Sequence, residues 1–92
     1  MCDERNKIYM DALIRYGDSH QLIVATEELA ECIQAITKIL RGGEDFNHLA
    51  EEVADAIICL EQVRLMFNID ERVELYKDFK IAKLRDKLKN GK

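Results

Sequence analysis

Two pairs of carboxylates have the spacing for chemistry: Glu28 with Glu31, and Glu52 with Asp55, each three residues apart. On a helix, such residues are neighbours on one face. Hard oxygen ligands from two facing helices suit Mg²⁺ or Mn²⁺, with water and substrate phosphates completing the coordination. Acids crowded beside apolar side chains repel one another and lose hydration. A raised pKa, a basic neighbour or a bound cation relieves that cost. The plainer alternative is that Glu27, Glu28 and Glu31 are solvent-facing helix formers, and spacing alone does not exclude it. A second feature is basic. Tyr76, Lys80, Lys83 and Lys87 recur at steps of four, three and four, next to Val73, Ile81, Leu84 and Leu88. Such a row could reach a triphosphate, or could snorkel over apolar surface.

Helices must position these groups. The chain has no Pro and only four Gly, which suits long uninterrupted helices. Four are expected. The first runs from about Asp3 to Tyr16 and stops at Gly17. The second, capped by Ser19 or Asp18, runs to Arg41 and ends at Gly42-Gly43. The third starts at Asp45 or Asn47 and continues to about Phe67. The fourth spans about Asp70 to Lys89. In the second helix the expected core stripe is Leu22, Ala25, Leu29, Ile33, Ile36 and Leu40, flanked by Val24, Cys32, Ala35 and Ile39. In the third it is Leu49, Val53, Ala56, Leu60, Val63 and Phe67. Each carboxylate pair then lies on the shoulder of an apolar stripe. Short connections make consecutive helices antiparallel, so the expected fold class is all-α, a compact four-helix bundle.

The 92 residues are expected to form one domain, 1–92. A lone chain of this size buries only roughly two-thirds of its unfolded surface. With 48% hydrophobic residues, it is expected to associate. The net charge of −4 favours neither nucleic acid nor a membrane surface as partner. The sign is uneven. Eight acids face two bases between Glu27 and Asp55, whereas eight bases face five acids from Asp70 onward. Cys2, Cys32 and Cys59 form no CxxC pair, and an odd count argues against a disulfide framework. No signal segment or membrane-length apolar run is visible, so the expected location is the cytoplasm.

These motifs together resemble a known family. Glu27-Glu28-Leu29-Ala30-Glu31 resembles the EExxE motif of MazG-like nucleotide pyrophosphohydrolases. Glu52-Val53-Ala54-Asp55, about twenty residues further on, resembles their ExxD motif. Lys80-Ile81-Ala82-Lys83-Leu84-Arg85 is similar to the basic segment that follows. The resemblance spans roughly residues 17 to 88. It implies an all-alpha NTP pyrophosphatase fold that assembles as a homodimer or homotetramer. It implies hydrolysis of a nucleoside triphosphate between the α- and β-phosphates, with Mg²⁺ as cofactor and Mn²⁺ as a substitute. Glu28, Glu31, Glu52 and Asp55 would be the metal ligands, Glu27 a helper that orients water or a ligand, and Lys80 and Lys83 the phosphate contacts.

Two relatives fit less well. Phosphoribosyl-ATP pyrophosphohydrolases have a lysine just ahead of the acidic motif, where this chain has Val24-Ala25-Thr26. Dimeric dUTPases are longer and contain two pseudo-repeated halves. Gln21, His20, Tyr16 and Asn47 are candidates for base recognition only by position, and His20 and His48 are expected in surface or capping roles. Cys32 and Cys59 are expected to pack rather than react. The alternative function is a non-enzymatic helical oligomerisation or regulatory module that keeps the fold.

Overall fold

The computed structural model describes residues 3–91, so Cys2 lies outside the described residues. Every regular element among them is a helix: α1 Asp3–Tyr16, α2 Asp18–Leu40, α3 Phe46–Met66 and α4 Asp70–Lys89. The all-α class and the number of helices agree with the sequence pattern. No helix of the described residues is long and apolar enough to cross a membrane.

The breaks have local causes. Gly17, at φ +89°, is the N-cap of α2, and no side chain caps that end. Ser19 and Asp18, the expected caps, lie inside the helix instead. Asp45 caps α3 by accepting the His48 backbone N–H at 3.0 Å. Beyond α2, Gly42 N–H donates to the Ile39 carbonyl at 3.0 Å and Gly43 N–H to the Lys38 carbonyl at 2.9 Å. This is the crossed pair of bonds that satisfies the last carbonyls when the next residue turns left-handed. Gly42 supplies that turn with φ +96°. After α3 the pattern repeats with Asn68 at φ +53°. Its N–H donates to the Leu65 carbonyl and that of Ile69 to the Arg64 carbonyl, at 3.2 and 3.0 Å.

α2 and α3 form the principal contact, α1 lies against both, and α4 touches α3 alone. The α2 row turned inward is Gln21, Ala25, Glu28, Cys32, Ala35 and Ile39, all buried or half-buried. Facing it on α3 are Leu49, Glu52, Ala56, Cys59, Val63 and Met66, again all buried or half-buried. Steps of three and four alternate along both rows, which is the seam of two helices packed side by side. The expected stripes are therefore rotated. Ile33 is 61% exposed, Leu40 80% and Leu60 46%. The cause is size. Ala25, Ala35, Ala56 and Cys59 are the buried seam residues, and small side chains let the two backbones approach closely. The bulkier Ile and Leu neighbours lie outward.

Cross-links tie the other helices to this pair. The Tyr9 hydroxyl of α1 donates to Glu61 of α3, and Tyr9 and Leu13 are the buried residues of α1. Gln21 of α2 donates to Gln62 of α3 at 2.8 Å. At the α3–α4 corner, Arg64 Nε meets Asp70 Oδ1 at 2.6 Å and its Nη2 meets Glu74 Oε2 at 2.7 Å. Hydrogen bonds from Arg64 and Lys77 hold the Glu74 carboxyl below its usual range. α4 itself buries no residue. It extends the molecule to 48 × 34 × 23 Å with a radius of gyration of 16.1 Å, where a tightly packed chain of this length has about 12 Å.

Three outcomes test these assignments. Gly42→Ala places a Cβ in a left-handed conformation and should cost about 1–2 kcal/mol in urea unfolding. Arg64→Met should speed amide exchange in the first turns of α4 while leaving α2 unchanged. Acid should act the same way. A lowered Glu74 pKa contributes stability that is complete above the ordinary value, about 4.3, and is lost as pH falls through the lower folded value.

Candidate metal centre

The rotated seam changes the position of the carboxylates. Glu28 and Glu52 belong to the packed rows themselves, one on each helix, rather than to their shoulders. Glu31 stands one turn along from Glu28, on the exposed rim. One carboxylate oxygen from each of Glu28, Glu31 and Glu52 lies within 4.8 Å of the others. Three buried side-chain atoms among the described residues lack a hydrogen-bond partner, and two of them are Glu28 Oε2 and Glu52 Oε2. Asp55 is exposed and sits outside this close trio, yet near enough for its charge to act on Glu28 and on Cys59.

The electrostatics follow from that geometry. Loss of hydration raises the Glu28 pKa most, followed by the charges of Glu31, Asp55 and Glu52 and a hydrogen bond with the Glu31 carboxyl. These carboxylates crowd one another where a cation would serve better. Buried acceptors left without donors are costly, and among the described residues no Lys or Arg forms an ion pair with these acids. The donor set fits a hard divalent cation. Around Mg²⁺, oxygen ligands at about 2.1 Å are separated by roughly 3 Å when adjacent and roughly 4 Å when opposite. The trio's oxygens lie within 4.8 Å of one another, on the scale of such a shell.

Cys59 lies beneath this group. Burial raises its thiol pKa first, and the charges of Glu28 and Asp55 add to it. It is a neutral packing residue, as its sequence context suggests. Glu27 points to solvent beside Glu28. Lys80 and Lys83 are exposed on α4, and α4 makes no contact with α2. Among the described residues no ion pair joins Lys80 or Lys83 to the acids of either motif, so within one chain the two motifs are not brought together. Lys83 instead lines a shallow groove with Asp86, Lys87 and Asn90.

The polar residues near the α1–α2 corner are occupied locally. The Tyr16 and His20 rings are 5.4 Å apart, and His20 Nδ1 is 2.9 Å from Gln21 Oε1. Asn47 is exposed in the first turn of α3. The sequence pattern sets Glu28 in the flanking row with Cys32, Ala35 and Ile39, and Glu52 on the flank with Cys59 and Met66; that these flanks form the seam is what it does not show. The signal that could reveal it is the run of small residues in register with them. No known protein family, characterised protein or solved structure matches this chain.

The raised Glu28 pKa gives a prediction with a definite sign. Its contribution is present below the unfolded pKa and is lost as pH rises through the folded one. Without divalent cations, wild type should lose stability as pH rises through that window. Glu28→Gln should remove the loss and melt higher than wild type at neutral pH. Thermal melts in chelator across pH 4–8 measure both.

Proposed function

We propose that the chain is a Mg²⁺-dependent nucleoside triphosphate pyrophosphohydrolase, a hydrolase that cleaves between the α- and β-phosphates to release a nucleoside monophosphate and pyrophosphate. One observation carries the reading: Glu28, Glu31 and Glu52 converge from two helices, and one buried oxygen each of Glu28 and Glu52 has no protein donor. The resemblance of the EExxE and ExxD segments to MazG-like enzymes supplies the reaction class. Membership of that all-alpha NTP pyrophosphatase superfamily is part of the proposal, as are a cytoplasmic location and a homodimeric or homotetrameric assembly.

Hydrolysis adds water across the Pα–O–Pβ bridge. Water oxygen bonds to Pα, the bridging oxygen leaves with pyrophosphate, and a proton is released. Bound Mg²⁺ would neutralise phosphate charge and lower the pKa of a coordinated water. Glu28, Glu31, Glu52 and Asp55 would hold it. α2 and α3 hold Glu28 and Glu52 in the packed seam, so the positions of those two are set before substrate arrives. Glu27, exposed one residue before Glu28, is placed to orient the attacking water or accept its proton. Lys80 and Lys83 would bind the outer phosphates as point charges.

The extended apolar surface and the separation of Lys80 and Lys83 from the acids favour a second reading, a helical oligomerisation or regulatory module without catalysis.

A panel of canonical and modified nucleoside triphosphates with Mg²⁺, assayed for pyrophosphate, separates the two. Glu52→Gln should lower the rate by more than the roughly 10–100-fold typical of groups that only orient a ligand. At a free Mg²⁺ concentration a hundred times Kd, wild type should gain about 2.7 kcal/mol. For a domain of this size that is a Tm rise on the order of 10 °C. Glu52→Gln should show little of it. An unchanged wild-type Tm in Mg²⁺, with no pyrophosphate from any substrate, leaves the module reading standing.

A further inference from the structure

We propose that α4 is an exchanged arm: it packs on a second copy of the chain and sets Lys80 and Lys83 against that copy's acidic cluster. The first reason is packing. A helix of 20 residues extends roughly 30 Å, and an isolated helix of that length is marginal in water. α4 buries nothing and touches only α3. Leu75, Tyr76, Phe79, Ile81, Leu84 and Leu88 are all exposed, Leu88 at 74%. Its one firm anchor is the Arg64 clamp on Asp70 and Glu74 at its first turns. Beyond those turns the chain itself provides no cover.

The second reason is charge, and it identifies the occupant. Between Lys77 and Lys89 there are six bases and two acids. At 100° per residue, Lys80, Lys83 and Lys87 form one row. Val73, Ile81, Leu84 and Leu88 lie on one side of it, and Leu75 and Phe79 on the other. α2 and α3 present the opposite pattern. There Glu27, Glu31, Glu51 and Asp55 are exposed, next to exposed Ile33, Val53 and Leu60. Opposite charge sits beside apolar surface on both faces. Every copy holds both faces, yet α4 makes no contact with α2 and touches α3 only slightly, and among the described residues no ion pair joins Lys80, Lys83 or Lys87 to an acid of the same chain. Two copies related by a two-fold axis satisfy both arms reciprocally and leave neither face open. Each acidic cluster would then receive its phosphate-binding lysines from the other chain. The docking rests on packing and charge. Only its role at a triphosphate rests on the pyrophosphohydrolase reading.

The test begins with equal amounts of ¹⁴N- and ¹⁵N-labelled full chain, co-refolded and treated with a carbodiimide that joins amines to touching carboxylates. The expected result is a dimer or larger even assembly by light scattering. Cross-links from Lys80 or Lys83 to Glu27, Glu31 or Asp55 should join light to heavy peptides. A monomer, or those cross-links confined to one label, overturns the proposal, whether or not the protein hydrolyses anything. A functional arm follows. Glu52→Gln and Lys80→Ala/Lys83→Ala chains, each inactive alone, are co-refolded. Reciprocal exchange restores one working site in each mixed dimer, about one quarter of the wild-type rate for random pairing. Sites built within one chain restore none. If the cross-links pass between chains while wild type releases no pyrophosphate, the arm stands and the catalytic reading falls.

Discussion

The α2–α3 seam constrains the rest of the molecule. Two helices can pack this closely only where their facing side chains are small, and Ala25, Ala35, Ala56 and Cys59 meet that condition. Glu28 and Glu52 are set into the same rows. Close packing thus holds two carboxylates near each other with little water between them. Lost hydration first, and then the charges of Glu31, Asp55 and Glu52, raise the Glu28 pKa, and one oxygen each of Glu28 and Glu52 lacks a donor. A core chosen for stability alone would have apolar residues there. The arrangement is a local cost that a divalent cation would reverse, because attraction to the ion replaces repulsion between the ligands.

The same seam explains the surface. Once small residues occupy the interior, the larger apolar ones must lie elsewhere. Ile23, Ile33, Ile36 and Leu40 on α2, with Val53, Ile57 and Leu60 on α3, lie substantially exposed. Scattered apolar residues on a monomer need no explanation; rows on adjacent helices are what the proposed assembly would cover. α4 extends the pattern, since its apolar residues lie on both sides of a lysine row. Arg64 fixes the direction in which that helix leaves. Its two carboxylate partners belong to α4, and its stem is anchored in α3.

Electrostatics and packing therefore point to one architecture. The acids concentrate on α2 and α3 and the bases on α4, which touches α3 and does not touch α2. Like charges gathered at one place give a strong local field. Separating the two signs keeps that field from collapsing into ordinary ion pairs. The acids remain available for a cation and the lysines for an anion.

Much of the fold was legible in the residues. Gly17, the Gly42-Gly43 pair and Asn68 mark the helix ends because left-handed turns admit few other residues. Asp45 marks the start of α3 because its side chain can accept a backbone N–H. The EExxE and ExxD segments place their acids on two helices, since a spacing of three is a helical neighbour. Which face packs was not legible. Hydrophobicity favours the isoleucine and leucine stripes, but the distance between two backbones is set by the smallest side chains that can face each other. That is a property of the pair of helices rather than of either sequence. Periodicity also could not give the direction of α4, which depends on where Arg64 finds its partners. The sequence by itself determined the four helices, their ends and which residues share a face. Only the tertiary structure brought Glu28, Glu31 and Glu52 together and kept Lys80 and Lys83 apart from them, because both outcomes depend on how helices approach one another.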